Sequence, residues 1–96
     1  MKRLLKDEIV LNELSKTVKV LANPSFKLIG LGFKKGQRLE KHSTSTPAVL
    51  LVQSGEINFL INGETHNLQS GAFYEIPANI EHEVHALADS YLYLIK

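Results

Sequence analysis

Four histidines and no cysteine set the chemistry open to this chain of 96 residues. Without thiols there is no disulfide scaffold, no thiolate zinc site and no cysteine nucleophile. Ligation and proton transfer therefore fall to imidazoles and carboxylates. Two histidines lie in informative stretches: His42 in GQRLEKHSTSTPAVLLVQSG, Gly36 to Gly55, and His82 in GAFYEIPANIEHEVHA, Gly71 to Ala86. An imidazole titrates near neutrality and can donate, accept or bind a metal. Regular strand alternation puts Glu40, His42 and Thr44 on one face, which would allow Glu40 to act as a carboxylate partner. His85 has the opposite parity to His82 and is expected to face away, and His66, just after Asn62-Gly63, reads with it as a surface polar residue. Ser43, Ser45 and Ser54 lie in turn-like segments without an adjacent base, so no nucleophile and no catalytic residue is assigned.

These residues are carried by short β-strands. Thr17 to Ala22 and Phe26 to Phe33 alternate around the breaker Asn23-Pro24-Ser25, with Gly30 and Gly32 on one face, where glycine marks a bulge or a close approach by another backbone. After the turn at Lys34 to Gln37, strands are expected at Arg38 to Ser43, Ala48 to Gln53, Ile57 to Ile61, Glu64 to Leu68, Ala72 to Ile76, His82 to Leu87 and Tyr91 to Ile95. Asn62-Gly63 is a type I′ hairpin signal, because both central residues need positive φ. Residues 1–16 read as an N-terminal arm of unassigned conformation, alternating like a strand yet compatible with a helical turn, and residues 17–96 as the β domain. Some nine strands with frequent turns and no long amphipathic helix predict an all-β antiparallel sandwich or barrel.

Length allows one core. A net charge of +1 with dispersed basic residues lacks the footprint of a nucleic-acid binder, so neither DNA nor RNA is expected as a partner. No apolar run reaches the ~18 residues of a membrane span. Lys6, Asp7 and Glu8 interrupt any signal-like run after Leu4 and Leu5, and the expected location is cytoplasmic.

The two stretches resemble the two motifs of the cupin family. In the first, Gly36, His42, Thr44, Ala48 and Gly55 follow the family spacing; in the second, Gly71, Pro77, Asn79 and His82 do, with Asn79 where the family has glycine. The resemblance covers about the last three quarters of the chain. It implies a double-stranded β-helix, or jelly-roll, enclosing a pocket. It also implies a metal site of two histidines and a glutamate from the first motif and one histidine from the second. His42 and His82 match that set, whereas Thr44 stands at the second histidine and Ala48 at the glutamate.

Two imidazoles make a weak metal site, since catalytic zinc ordinarily takes three protein ligands and non-haem iron two histidines and a carboxylate. A set of Glu40, His42 and His82 would replace the missing ligands and hold zinc, nickel, iron or manganese. The preferred reading has no cofactor: His42, Thr44, Ala48 and His82 line a pocket walled by Phe59, Phe73, Tyr91 and Tyr93, and a small polar or anionic metabolite binds there. The alternatives are a metal-dependent isomerase or dioxygenase, and a structural protein with a vestigial pocket. If Ala48, Leu50 and Val52 face the pocket, Val49 and Leu51 are apolar on the other side, with Leu92 and Leu94 adding to that surface. Such a face needs a cover, and a homodimer is the expected one.

Overall fold

A computed structural model describes residues 1–96. Nine strands, β1 (Thr17–Ala22), β2 (Leu28–Phe33), β3 (Arg38–His42), β4 (Ala48–Ser54), β5 (Glu56–Ile61), β6 (Glu64–Gln69), β7 (Phe73–Ile76), β8 (His82–Ala86) and β9 (Ser90–Ile95), fall within two residues of those expected. All pairings are antiparallel. One sheet runs β1-β2-β9-β4-β7 and the other β3-β8-β5-β6, so the expected all-β double-stranded β-helix is the fold observed.

Alternation decides which side each strand buries. β5 turns Ile57, Phe59 and Ile61 inward, β8 turns His82, Val84 and Ala86, and β4 turns Ala48, Leu50 and Val52. With Ile29, Leu31 and Phe33 of β2 and Leu92 of β9, these apolar side chains form one core between the sheets. Each large side chain so buried stabilises the fold by about 1.5–3 kcal/mol. The β5–β6 hairpin closes through Asn62 (φ 53°) and Gly63 (φ 74°), as a type I′ turn demands. The β4–β5 turn depends on Gly55 (φ 102°), where a Cβ would meet Ser90 Oγ and lie 2.6 Å from the Asp89 carbonyl.

In β9 the leucines face in and the tyrosines face out. Leu92 is fully buried opposite Val52, and Leu94 packs on the core opposite Leu50. Leu92 and Leu94 therefore do not contribute to an outer apolar face, as a one-residue change of phase reverses every side chain of a strand. The outer face carries Val49 and Leu51 of β4 and Phe73 of β7, the last 65% exposed.

The arm docks on the β1-β2-β9 side of its own chain. Leu5–Glu8 makes one helical turn, α1, after which the chain is extended and Ile9 is fully buried. Ile9 sits over the bare backbone of Gly30 and Gly32, where added Cβ atoms would crowd its side chain. The close approach at those glycines is thus made by a side chain and not by another backbone as expected. Lys6 Nζ lies 5.8 Å from the centre of the Tyr91 ring, Thr17 Oγ1 donates to the Val10 carbonyl (2.8 Å) and Gln37 Nε2 to the Asn12 carbonyl (2.6 Å).

Candidate ligand site

His42 and His82 are direct partners across β3 and β8. A register shift makes them so: Leu39 pairs with Val84 and His42 with His82, so three steps on β3 match two on β8. This bulge changes the phase of the strand, letting both Leu39 and His42 face inward. It also breaks the alternation that linked Glu40 to His42. Glu40 is exposed, and its carboxylate does not join the two rings.

The rings meet edge to face, with centroids 4.4 Å apart and planes at 63°. His42 Nδ1 donates to the Glu40 carbonyl (2.8 Å), and His82 Nδ1 to the Ile80 carbonyl (3.0 Å). A carbonyl only accepts, so the proton of each neutral ring sits on Nδ1 and the Nε2 lone pair is free. His82 is 5% exposed. Burial holds its pKa below the usual histidine value, aided by the neighbouring His42 and opposed by the bond to Ile80. Near neutral pH the His82 ring is an acceptor.

Around the pair, Phe59 is fully buried with its ring 5.7 Å from His82 and 4.9 Å from Tyr74. Ala48 is buried in the core opposite Ile76. The Thr44 hydroxyl donates to the Thr46 carbonyl (2.8 Å), and the Thr44 carbonyl accepts from Asn79 N–H (2.7 Å), tying the two motif segments together. Asn79 has φ 64°, a left-handed geometry that glycine adopts freely and asparagine tolerates best among the rest.

Three expected wall residues stand elsewhere. Phe73 is exposed on the outer face, where its register with Leu51 places it. Tyr91 lies under Lys6, and Tyr93 under the arm beside Leu4 and Leu5. The aromatic wall is instead Tyr74, one residue from Phe73. His66 is half-buried rather than fully on the surface: it pairs with Phe59, its ring lies 5.0 Å from that of Tyr74, and its Nε2 is buried with no hydrogen-bond partner. The shared parity of His66 and Leu68 was the signal for this placement. His85 faces away as expected, and its Nε2–H donates to Glu83 (2.9 Å), whose carboxyl is held below its usual range by that bond.

A cavity of about 560 Å³ lies outside the space between the sheets. It is a cleft where the β5–β6 hairpin and the segment before β8 diverge, lined by Lys41, Asn62, Glu64, Thr65, Asn79 and Glu81 among others, and His82 is the residue it shares with the imidazole pair. No three His, Asp or Glu side chains are gathered closely enough to hold a metal ion. The donor set stops at two imidazoles, and Thr44 and Ala48 supply nothing further, so these residues do not fit the metal site that the motifs imply.

A two-sheet antiparallel barrel with paired histidines from its two motif segments defines the double-stranded β-helix class. Residues 31–95 match the sequence profile of the cupin domain, and the chain belongs to the cupin family. A conserved protein of unknown function from Streptococcus pyogenes superposes with a TM-score of 0.88 at 22% identity, covering 99% of this chain and 84% of that one. An RmlC-like cupin protein from Desulfovibrio desulfuricans gives 0.88 at 24% identity, with 99% and 94% covered. A cupin 2 conserved barrel domain protein from Leptotrichia buccalis gives 0.83 at 26% identity, covering 93% of this chain and 44% of that one. No curated protein matches. No helix is long and apolar enough to cross a membrane.

Proposed function

We propose that this cupin is a binding barrel that holds a small polar molecule at the His42–His82 pair without a tightly bound metal. The observation that carries the reading is the bonding of the two rings: both Nδ1–H groups are engaged by backbone carbonyls, so the pair offers two Nε2 acceptors. Such a site selects a ligand that brings hydroxyl or N–H donors. A carboxylate would need an imidazolium opposite it, and burial at His82 resists that form. The expected choice of a polar or anionic metabolite thus narrows to the donor-bearing polar class. A metal-dependent isomerase or dioxygenase would need a third ligand beside the pair, which these residues do not supply.

The test is a thermal-shift screen of small hydroxylated, amino and carboxylate metabolites, repeated on His42→Ala. A stabilising, donor-bearing compound whose effect vanishes in the variant supports the reading. Hits confined to carboxylates, or unchanged by His42→Ala, refute it.

A further inference from the structure

We infer that the ligand carries a positively charged amine, which is selected by carboxylates in the cleft adjoining the histidine pair. The inference rests on the proposed function and adds the charge of the ligand to it. The cleft and the pair meet at His82, a side chain 95% buried, by its 5% exposure, with no hydrogen bond to its Nε2. At about 560 Å³ the cleft falls within the range of small-molecule sites.

The charged and titratable groups at this end of the barrel come from several elements. β3 contributes Lys41 and His42, β6 Glu64 and His66, the segment before β8 Glu81, β8 itself His82 and Glu83, and β7 Tyr74. Glu83 is engaged by His85. Glu64 lies 3.9 Å from His66 Nε2, beyond hydrogen-bond reach, so its carboxylate and that of Glu81 stand against the single ammonium of Lys41, and no arginine lines the cleft. In their neutral form the two imidazoles add two acceptors and no donor. A ligand with an ammonium head meets favourable partners throughout, whereas one with a carboxylate meets like charge in the cleft and lone pairs at the histidines.

Three probes of one shape test this by calorimetry near neutral pH: glucosamine, glucose and glucuronate. Glucosamine is expected to bind about tenfold more tightly than glucose, as one close charge pair permits, with glucuronate weakest. The Glu64→Gln/Glu81→Gln variant should abolish the preference, so that glucosamine and glucose bind it equally. Glucuronate binding as tightly as glucosamine, an unchanged order in the variant, or no binding by any of the three overturns the inference. His42→Ala and His82→Gln keep this separate from the proposed function: if the probes bind through the histidines but without regard to charge, only the amine inference fails. If binding ignores both histidine variants, the proposed function fails as well.

Discussion

Gly32→Ala places a methyl group where Ile9 already sits. Its Cβ would run into Ile9 Cγ2 and lie 2.8 Å from Leu11 Cδ2, whereas a Cβ at Gly30 would meet Ile9 Cδ1 and Cγ1 at 2.9 Å. Cγ2 is attached directly to Cβ of a β-branched residue with one strongly preferred rotamer, so it yields only if the arm backbone moves. At position 30 the overlap is smaller, and of the two atoms met only Cγ1 is fixed to Cβ, since Cδ1 is a chain end that can swing aside. Overpacking costs about 1–3 kcal/mol, with position 32 expected near the top of that range and position 30 near the bottom. The ceiling is set by undocking the arm, since burying Leu5 and Ile9 contributes about 3–6 kcal/mol in all. A double-mutant cycle isolates the contact: in an Ile9→Ala background, Gly32→Ala should cost about 2 kcal/mol less than in wild type. Urea unfolding gives all four stabilities. An equal cost in both backgrounds would mean that Ile9 is not what forbids a side chain at position 32.

Four further outcomes are expected. Thr44→His with Ala48→Glu restores the family's ligand set, and Zn²⁺ at about 100 times its dissociation constant should then stabilise the double variant by about 2.7 kcal/mol with little effect on wild type, read as melting temperature; equal shifts would mean that wild type already has a complete site. The folded-state pKa of His82 is lowered, so the unfolded chain takes up the proton first: the contribution of this residue is whole above pH 6.5 and lost as pH falls below it towards the folded pKa. Unfolding curves between pH about 7.5 and about 5.5 should therefore show a steeper acid loss in wild type than in His82→Gln. Asn79→Gly should be close to neutral in thermal unfolding, while Asn79→Val, forced to positive φ, should cost about 1–2 kcal/mol. The face bearing Val49, Leu51 and Phe73 is proposed to close against a second copy of the chain, and light scattering should show a dimer that Phe73→Glu weakens.

The fold was legible because two independent signals agree on it, the alternation of short apolar runs and the turn chemistry between them. Asn62-Gly63 is the clearest case: the dipeptide permits a backbone geometry that few others do, and the chain takes it. The walls of the site were not legible, since choosing between Phe73 and Tyr74, or between Tyr91 and Leu92, means fixing the phase of a strand in which both phases carry apolar residues. Register decides it, by placing Leu92 opposite Val52 and Tyr74 opposite Leu50, and register is a property of the partner strand. His66 was open to a better reading, since it shares the parity of Leu68. The β3 bulge had no such signal, because RLEKH is polar throughout except for Leu39.

That bulge links the missing ligand to the chemistry that remains. Leu39 must face in to pack on the core, and His42 must face in to meet His82, yet they are an odd number of residues apart. One extra residue reconciles them and removes the Glu40 side chain from the interior. The same irregularity interrupts the ladder pairing around Glu40, and its carbonyl receives the Nδ1 proton of His42. His82 repeats the arrangement two residues after Ile80, whose carbonyl lies before β8 begins. In both cases a carbonyl at i−2, outside the regular ladder, sets the tautomer of the histidine. The acceptor character of the pair is therefore written into the local backbone. A ligand at the proposed site would meet two Nε2 lone pairs on the neutral rings already in place, with no rearrangement of protons needed to receive a donor.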